Sequence, residues 1–174
     1  GVDDFFKVAS HGNMSFPTDS NDDGNLDVFG PYHIDADKGT NCSDHGLWRV
    51  MARQAAARDG VNLGQYQHQV FILPHYQDLG CRWAGLATLG CFPPDNCWAL
   101  ITEANSSLVV EHELGHNIGM HHASTDANDD EVSDVEYADH SDPMGNEFVE
   151  KGFNAPHVVQ MQWNRGLDRK STRL

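Results

Sequence analysis

The chain has 174 residues and a net charge of −15, from 11 basic and 26 acidic side chains. This length fits one domain with a sizeable core, and the acidic balance argues against nucleic acid or an anionic membrane surface as a partner. No apolar run approaches the ~20 residues of a membrane helix, and the chain does not open on a signal-peptide pattern. We therefore expect a single domain in a mature form, without membrane insertion.

The cysteines and the glycosylation sequons favour an extracellular protein. Four cysteines are an even number without a C-x-x-C pair, so two disulfides are a better interpretation than thiolate metal ligands, and three pairings are open. They are Cys42, Cys81, Cys91 and Cys97. Three N-x-S sequons, at Asn13, Asn41 and Asn105, are compatible with a secreted glycoprotein.

The first predicted element is an amphipathic helix from Val2 to Ala9, with Phe5 and Phe6 on its apolar face. It begins without a capping residue. Two interpretations are open: this is an ordinary N-terminal helix, or earlier elements of the fold were removed or lie on a second chain.

The next segment resembles the start of a calcium loop. Oxygen ligands occupy positions one, three, five and nine of such a loop, and Gly24 occupies position six. Position twelve is Gly30 instead of a bidentate Glu, so a solvated turn explains the same residues. The candidate calcium ligands are Asp19, Asn21, Asp23 and Asp27.

Strands and helices then alternate, which predicts a mixed α/β (α+β) fold. Leu26 to Ile34 alternates loosely and predicts a strand. Ser43 or Asp44 can cap a helix that continues to Arg58 and stops at Gly60. Short apolar runs bounded by Pro, Gly and Asp predict three further strands, at Gln69 to Leu73, Trp83 to Thr88 and Cys97 to Thr102.

The segment from His112 to His122, HELGHNIGMHH, has the spacing H-E-x-x-H-x-x-G-x-x-H. On a helix His112 and His116 face one side and can ligate a single metal ion. Gly119 permits a left-handed turn that brings His122 to the metal as third ligand. His121 is the rival for that position, but the spacing favours His122.

Three neutral histidines leave a fourth tetrahedral position of Zn²⁺ for water, whose pKa the metal lowers to about 7. Glu113 is placed to take the proton of that water and pass it to the leaving amine. A structural metal site normally has four protein ligands and no use for this Glu, so the motif predicts one catalytic zinc ion and peptide hydrolysis.

Beyond the motif, residues 126–142 are rich in acidic side chains and predict a solvated loop. A weaker second calcium site could use Asp126, Asn128 and Asp130. Residues 141–145 predict a tight turn around Met144. Asn154 can cap a final helix that runs to Trp163.

In four segments the sequence resembles the metzincin zinc peptidases, most closely the gametolysin (autolysin) family. They are HELGHNIGMHH, EYADHSDPMG at 136–145, the GLATLGC and CW elements between Gly85 and Cys97, and FNAP at 153–156. The resemblance implies a twisted mixed sheet with an antiparallel edge strand above the cleft, and an active-site helix beneath it. It further implies an N-terminal subdomain over residues 1–119 and a small C-terminal subdomain over 120–174, in which Met144 is the Met-turn residue.

Two departures from the metzincin pattern stand out. Asn146 occupies the position where astacins and serralysins have a tyrosine, so no Met-turn tyrosine can assist at the metal. If Val2 to Ala9 is the end of the first long helix, the strand that usually precedes that helix is absent from this chain.

The sequence therefore predicts a secreted zinc endopeptidase, and the resemblance suggests matrix or cell-wall glycoproteins, rich in proline or hydroxyproline, as substrates. Trp83 to Thr88 is the candidate edge strand for holding an extended peptide. The rival hypothesis is an adhesion domain that binds metal and calcium but has lost proteolysis. Glu113 argues for the enzyme, because a binding-only domain does not need it.

Overall fold

The computed structural model describes residues 1–35, 42–75, 80–91, 96–104, 106–130, 132–146 and 151–165. They form two compact units, which we call the sheet unit (Pro17–His121) and the terminal unit (Gly1–Phe16 with His122–Leu174). The chain combines helices with a small mixed sheet, so the predicted mixed α/β (α+β) class is confirmed. The subdomain division at 119/120 stays a prediction.

Three strands form the sheet: β1 (His68–Ile72), β2 (Gly85–Ala87) and β3 (Cys97–Ile101). The central strand β3 runs parallel to β1 and antiparallel to β2. Ala99, Leu100 and Ile101 of β3 are completely buried, as expected for a continuous apolar run in a central strand. The three strands predicted in this part of the chain are confirmed: β1 has the predicted length but begins one residue earlier, and β2 and β3 are shorter than predicted.

The sheet unit also contains helices α2 (His45–Arg58) and α3 (Ser107–Asn117) and two short 3-10 helices, at Cys42–Asp44 and Leu63–Gln65. Helix α3 packs against β2 and β3. Its last residue, Asn117, is 1% exposed and donates from Nδ2 to the carbonyl oxygens of Thr88 and Trp98, both at 3.1 Å. One amide thereby ties the C-terminal end of α3 to the ends of two neighbouring strands.

The terminal unit contains α1 (Val2–Ala9) and α4 (Ala155–Gln160). The fully buried Phe6 ring packs on Phe16 and Phe153, with ring centroids 4.6 and 5.8 Å apart. Asn154 caps α4 as predicted, and its Oδ1 accepts the His157 N–H at 2.9 Å. The prediction that α4 continues to Trp163 is wrong, because the chain turns after Gln160 and Gln162 adopts a left-handed φ of 60°.

The predicted strand at Leu26 to Ile34 is wrong, since these residues form no strand. Leu26 and Val28 are 66% and 73% exposed, so the loose alternation does not mark a buried face. The backbone N–H of Asp27 donates to the Thr18 carbonyl oxygen at 2.6 Å, which closes a loop instead of continuing a ladder.

The cysteines form two disulfides, as predicted, and the structure selects Cys42–Cys81 and Cys91–Cys97 among the three pairings. Asn13 of the first sequon is exposed, whereas Asn41 and Asn105 lie outside the described residues. No helix in the described ranges is both long enough and apolar enough to cross a bilayer.

Candidate metal centre

The C-terminal end of α3 sets the geometry of the predicted metal motif. Gly119 has a φ of +100°. The Gly119 N–H donates to the His116 carbonyl oxygen at 2.9 Å, and the Met120 N–H donates to the Gly115 carbonyl oxygen at 3.0 Å. These two bonds form a Schellman motif, which needs a left-handed residue at this position. A Cβ on Gly119 would meet no atom within 4 Å, so the requirement for glycine is conformational and not steric. The turn predicted from the motif is present.

The structure brings the three predicted histidine ligands together. One ring nitrogen each of His112, His116 and His122 lies within 4.8 Å of the others, and all three side chains are half-buried. The rings of His112 and His116, one helical turn apart, are nearly perpendicular, with centroids 4.8 Å apart. His121 is exposed and is not part of this cluster. Three imidazoles that converge in this way could hold a metal ion.

Hydrogen bonds orient two of these imidazoles. Nδ1 of His116 lies 2.8 Å from the Met120 carbonyl oxygen, and Nδ1 of His122 lies 2.5 Å from Oε1 of Glu136. An acceptor at Nδ1 places the proton there and leaves Nε2 with the lone pair that a metal needs. The Tyr137 ring packs on the His122 ring at a centroid distance of 3.8 Å and restrains its rotation.

Glu113 is 5% exposed and lies on α3 next to the first histidine of the cluster. Burial raises the pKa of its carboxyl group from 4.5 to about 8. A dication held by the neighbouring histidines would favour the charged form and lower this pKa again. Burial therefore favours the protonated carboxyl group in the metal-free protein, and a bound dication would favour the carboxylate.

Met144 is completely buried in a turn held by Asp142. Oδ1 of Asp142 accepts the Met144 N–H at 2.7 Å, and the Met144 carbonyl oxygen accepts the Ala123 N–H at 2.9 Å. Oδ2 of Asp142 accepts the Asn154 N–H at 2.6 Å and lies 2.8 Å from Nδ1 of His157. One buried carboxylate thus fixes both the turn and the start of α4.

The predicted calcium loop is closed by its own hydrogen bonds. Oδ1 and Oδ2 of Asp19 accept the N–H groups of Asp23 and Gly24, and Oδ2 of Asp27 accepts the Ser20 N–H. Asp19, Asp23 and Asp27 do not form one of the ligand clusters among the described residues. Calcium binding at this loop, or at Asp126, Asn128 and Asp130, stays a prediction.

A second cluster, of His68, Cys91 and Cys97, has its ligand atoms within 4.8 Å of one another. Both sulfur atoms belong to the Cys91–Cys97 disulfide and are not thiolates. We therefore do not assign a metal to this cluster.

Comparison with known proteins assigns the chain to a family. A sequence model of the gametolysin peptidase M11 family matches residues 4–172, which is nearly the whole chain. This chain belongs to the gametolysin peptidase family. The family confirms the resemblance seen in the sequence and supports a metallopeptidase function acting on protein or peptide substrates.

A comparison with individual proteins also found a relative of this chain. Autolysin of Chlamydomonas reinhardtii is 28% identical over 109 residues. The match covers 59% of this gametolysin-family chain but only 16% of the length of that autolysin. No solved structure matches the chain.

The sequence motif did not reveal every residue around the histidines of this gametolysin-family protein. Glu136 and Tyr137 are 14 and 15 positions beyond His122, in a segment that the acidic composition assigned to a solvated loop. Tyr137 has a positive φ of 63°, which no sequence signal indicated. The EYADHSDPMG segment resembles the gametolysin family in sequence, but only the folded chain shows that its first two residues contact His122.

Proposed function

We propose that this chain is a secreted zinc-dependent endopeptidase that cleaves extracellular matrix or cell-wall glycoproteins. The observation that carries the proposal is the convergence of His112, His116 and His122 beside the buried Glu113. The chemistry of this donor set fits zinc, because three neutral imidazoles with Nε2 available are ligands that Zn²⁺ prefers in catalytic sites. The two disulfides support an oxidising, extracellular location.

In the proposed reaction, zinc bound at the three imidazoles supplies Lewis acidity toward the attacking water and the scissile carbonyl. Glu113 acts as general base, taking a proton from the water as its oxygen bonds to the carbonyl carbon. The same carboxyl group then donates the proton to the amide nitrogen as the C–N bond breaks. The Glu136 carboxylate and the Met120 carbonyl oxygen keep His122 and His116 oriented throughout.

We further propose that the substrate adds to the sheet along β2. The residues on either side of β2 form hydrogen bonds toward β3. The Ala84 carbonyl oxygen accepts the Thr102 N–H at 2.9 Å, and the Thr88 N–H donates to the Trp98 carbonyl oxygen at 3.1 Å. Because hydrogen-bonding direction alternates along a strand, Gly85 and Ala87 direct their N–H and C=O groups away from β3. In the described sheet β2 is an edge strand, so these groups can pair with an extended peptide.

The test is cleavage of a denatured, fluorescently labelled matrix glycoprotein by wild type, by Glu113→Gln and by chelator-treated protein with and without added zinc. We expect Glu113→Gln to bind one zinc ion per chain and to lose about 10²–10⁴-fold in kcat, the usual contribution of a general base. Glu103→Gln is the matched control, since Glu103 contacts His75 and takes no part in the proposed reaction. Full activity of Glu113→Gln would overturn the mechanism. An inactive, zinc-loaded wild type would favour a metal-binding adhesion domain.

A further inference from the structure

The Glu113 carboxyl group lies directly against Gly85, the first residue of β2. A Cβ atom placed on Gly85 would be 2.6 Å from Cγ and 2.7 Å from Cδ of Glu113. Carbon atoms in favourable contact are about 3.5–4.0 Å apart, so no other residue type fits at position 85 while Glu113 keeps this position. Gly85 lies in a regular strand and pairs with Ile101, so an alanine could adopt its backbone conformation.

We propose that Gly85 is a positioning residue for Glu113, an inference that rests on the proposed peptidase function. Because Gly85 has a hydrogen atom where other residues have a side chain, the Glu113 carboxyl group has room between α3 and β2. This role differs from that of Gly119, where a Cβ would have room but the backbone conformation requires glycine.

An added methyl group at position 85 would displace the Glu113 side chain more easily than it would displace β2. Immediately before Gly85, the Thr102 hydroxyl donates to the Trp83 carbonyl oxygen at 2.7 Å, and the Thr102 N–H donates to that of Ala84 at 2.9 Å. Thr102 is 1% exposed, so this anchor is buried. The atoms that an added methyl group would meet are Cγ, Cδ and Oε1 of Glu113, which all lie beyond its Cβ and move when the side chain rotates about χ1. A substitution at Gly85 therefore displaces the carboxyl group and leaves the sheet in place.

Displacement of a general base by about 1 Å can lower a catalytic rate by about 10²-fold. We expect Gly85→Ala to lower kcat by about 10–100-fold, with KM within about twofold of wild type and full zinc stoichiometry. Gly46→Ala in α2 is the matched control, because a Cβ there would meet no atom within 4 Å and its φ is not left-handed. This control should keep wild-type kcat.

A second measurement, on the metal-free protein, does not depend on activity. Gly85→Ala should lower Tm by about 2–4 °C when Glu113 is present, the shift that about 1 kcal/mol produces in a domain of this size. In the Glu113→Ala background the same substitution should cause no loss, because the obstructing atoms are gone.

The outcomes separate this inference from the proposed function. Wild-type kcat for Gly85→Ala in an active enzyme, or an equal Tm loss in both backgrounds, would overturn the positioning role. Loss of zinc or a large increase in KM would also overturn it, in favour of a structural or substrate-binding role. If the zinc-loaded wild type cleaves nothing, the peptidase proposal fails, while the Tm comparison still decides whether Gly85 makes room for Glu113.

Discussion

Oδ2 of Asp142 lies 2.8 Å from Nδ1 of His157, and the two side chains are 0% and 8% exposed. The same carboxylate accepts the backbone N–H groups of Met144 and Asn154. It therefore joins the turn around Met144 to the first turn of α4 through a single buried group.

We expect Asp142→Ala to lower the free energy of unfolding by about 2–5 kcal/mol, because it leaves buried N–H donors without their acceptor. Urea denaturation of the metal-free protein measures this loss. Asp134→Ala is the control, because Asp134 is exposed and its carboxylate accepts the Ala127 N–H at the surface. Equal effects of the two substitutions would contradict a special role for the Asp142 carboxylate.

Glu136→Ala should weaken zinc binding about tenfold, because His122 loses the acceptor that holds the proton on Nδ1. This loss of zinc affinity is at the lower end of the range for hydrogen-bond partners of metal-ligating histidines, because the Glu136 side chain is 65% exposed. Competition with a fluorescent chelator measures the affinity. Glu103→Ala removes the carboxylate from another His–Glu pair, that with His75, and should leave zinc affinity unchanged.

Single alanine substitutions of His112, His116 and His122 should each abolish stoichiometric zinc binding, because two imidazoles make a poor zinc site. Metal analysis after gel filtration provides the measurement. His121→Ala, which removes the exposed neighbour of His122, should retain one zinc ion per chain. Zinc retention by His122→Ala together with loss in His121→Ala would reverse the assignment of the third ligand.

The contribution of His68 to the stability of the metal-free protein should fall as the pH drops below 6.5. Burial lowers the pKa of this side chain from 6.5, so below that pH the unfolded chain binds more protons than the folded chain. The contribution of His68 is fully present above pH 6.5 and is lost as the pH falls toward its folded pKa. Urea denaturation of wild type and His68→Gln at pH 7.5 and 5.5 should show a smaller difference at the lower pH. A difference that does not change with pH would contradict this prediction.

Local patterns predicted much of the fold. Helical periodicity identified α1 with its correct ends, the candidate caps at Ser43 or Asp44 and at Asn154 marked the starts of α2 and α4, and short apolar runs located the three strands of the described sheet. The metal motif succeeded for the same reason: His112 and His116 are one helical turn apart, and Gly119 supplies a turn that needs no distant contact.

Features that depend on distant packing were beyond local patterns. The contact of Glu136 with His122 requires the return of an acidic loop, and the closeness of Gly85 to Glu113 exists only once α3 packs on β2. The disulfide pairing was open for the same reason. The strand expected at Leu26 to Ile34 failed because alternation alone cannot tell whether a partner strand will be there.

The core of the terminal unit places a constraint on the order of folding during synthesis. Phe6 packs on Phe153, and 147 positions separate them along the chain. At a translation rate of about 5–20 residues per second, Phe153 is made roughly 7–30 s after Phe6. Throughout that interval Phe6 cannot pack on Phe153, so the aromatic core of the terminal unit is completed only after the last part of that unit has been made.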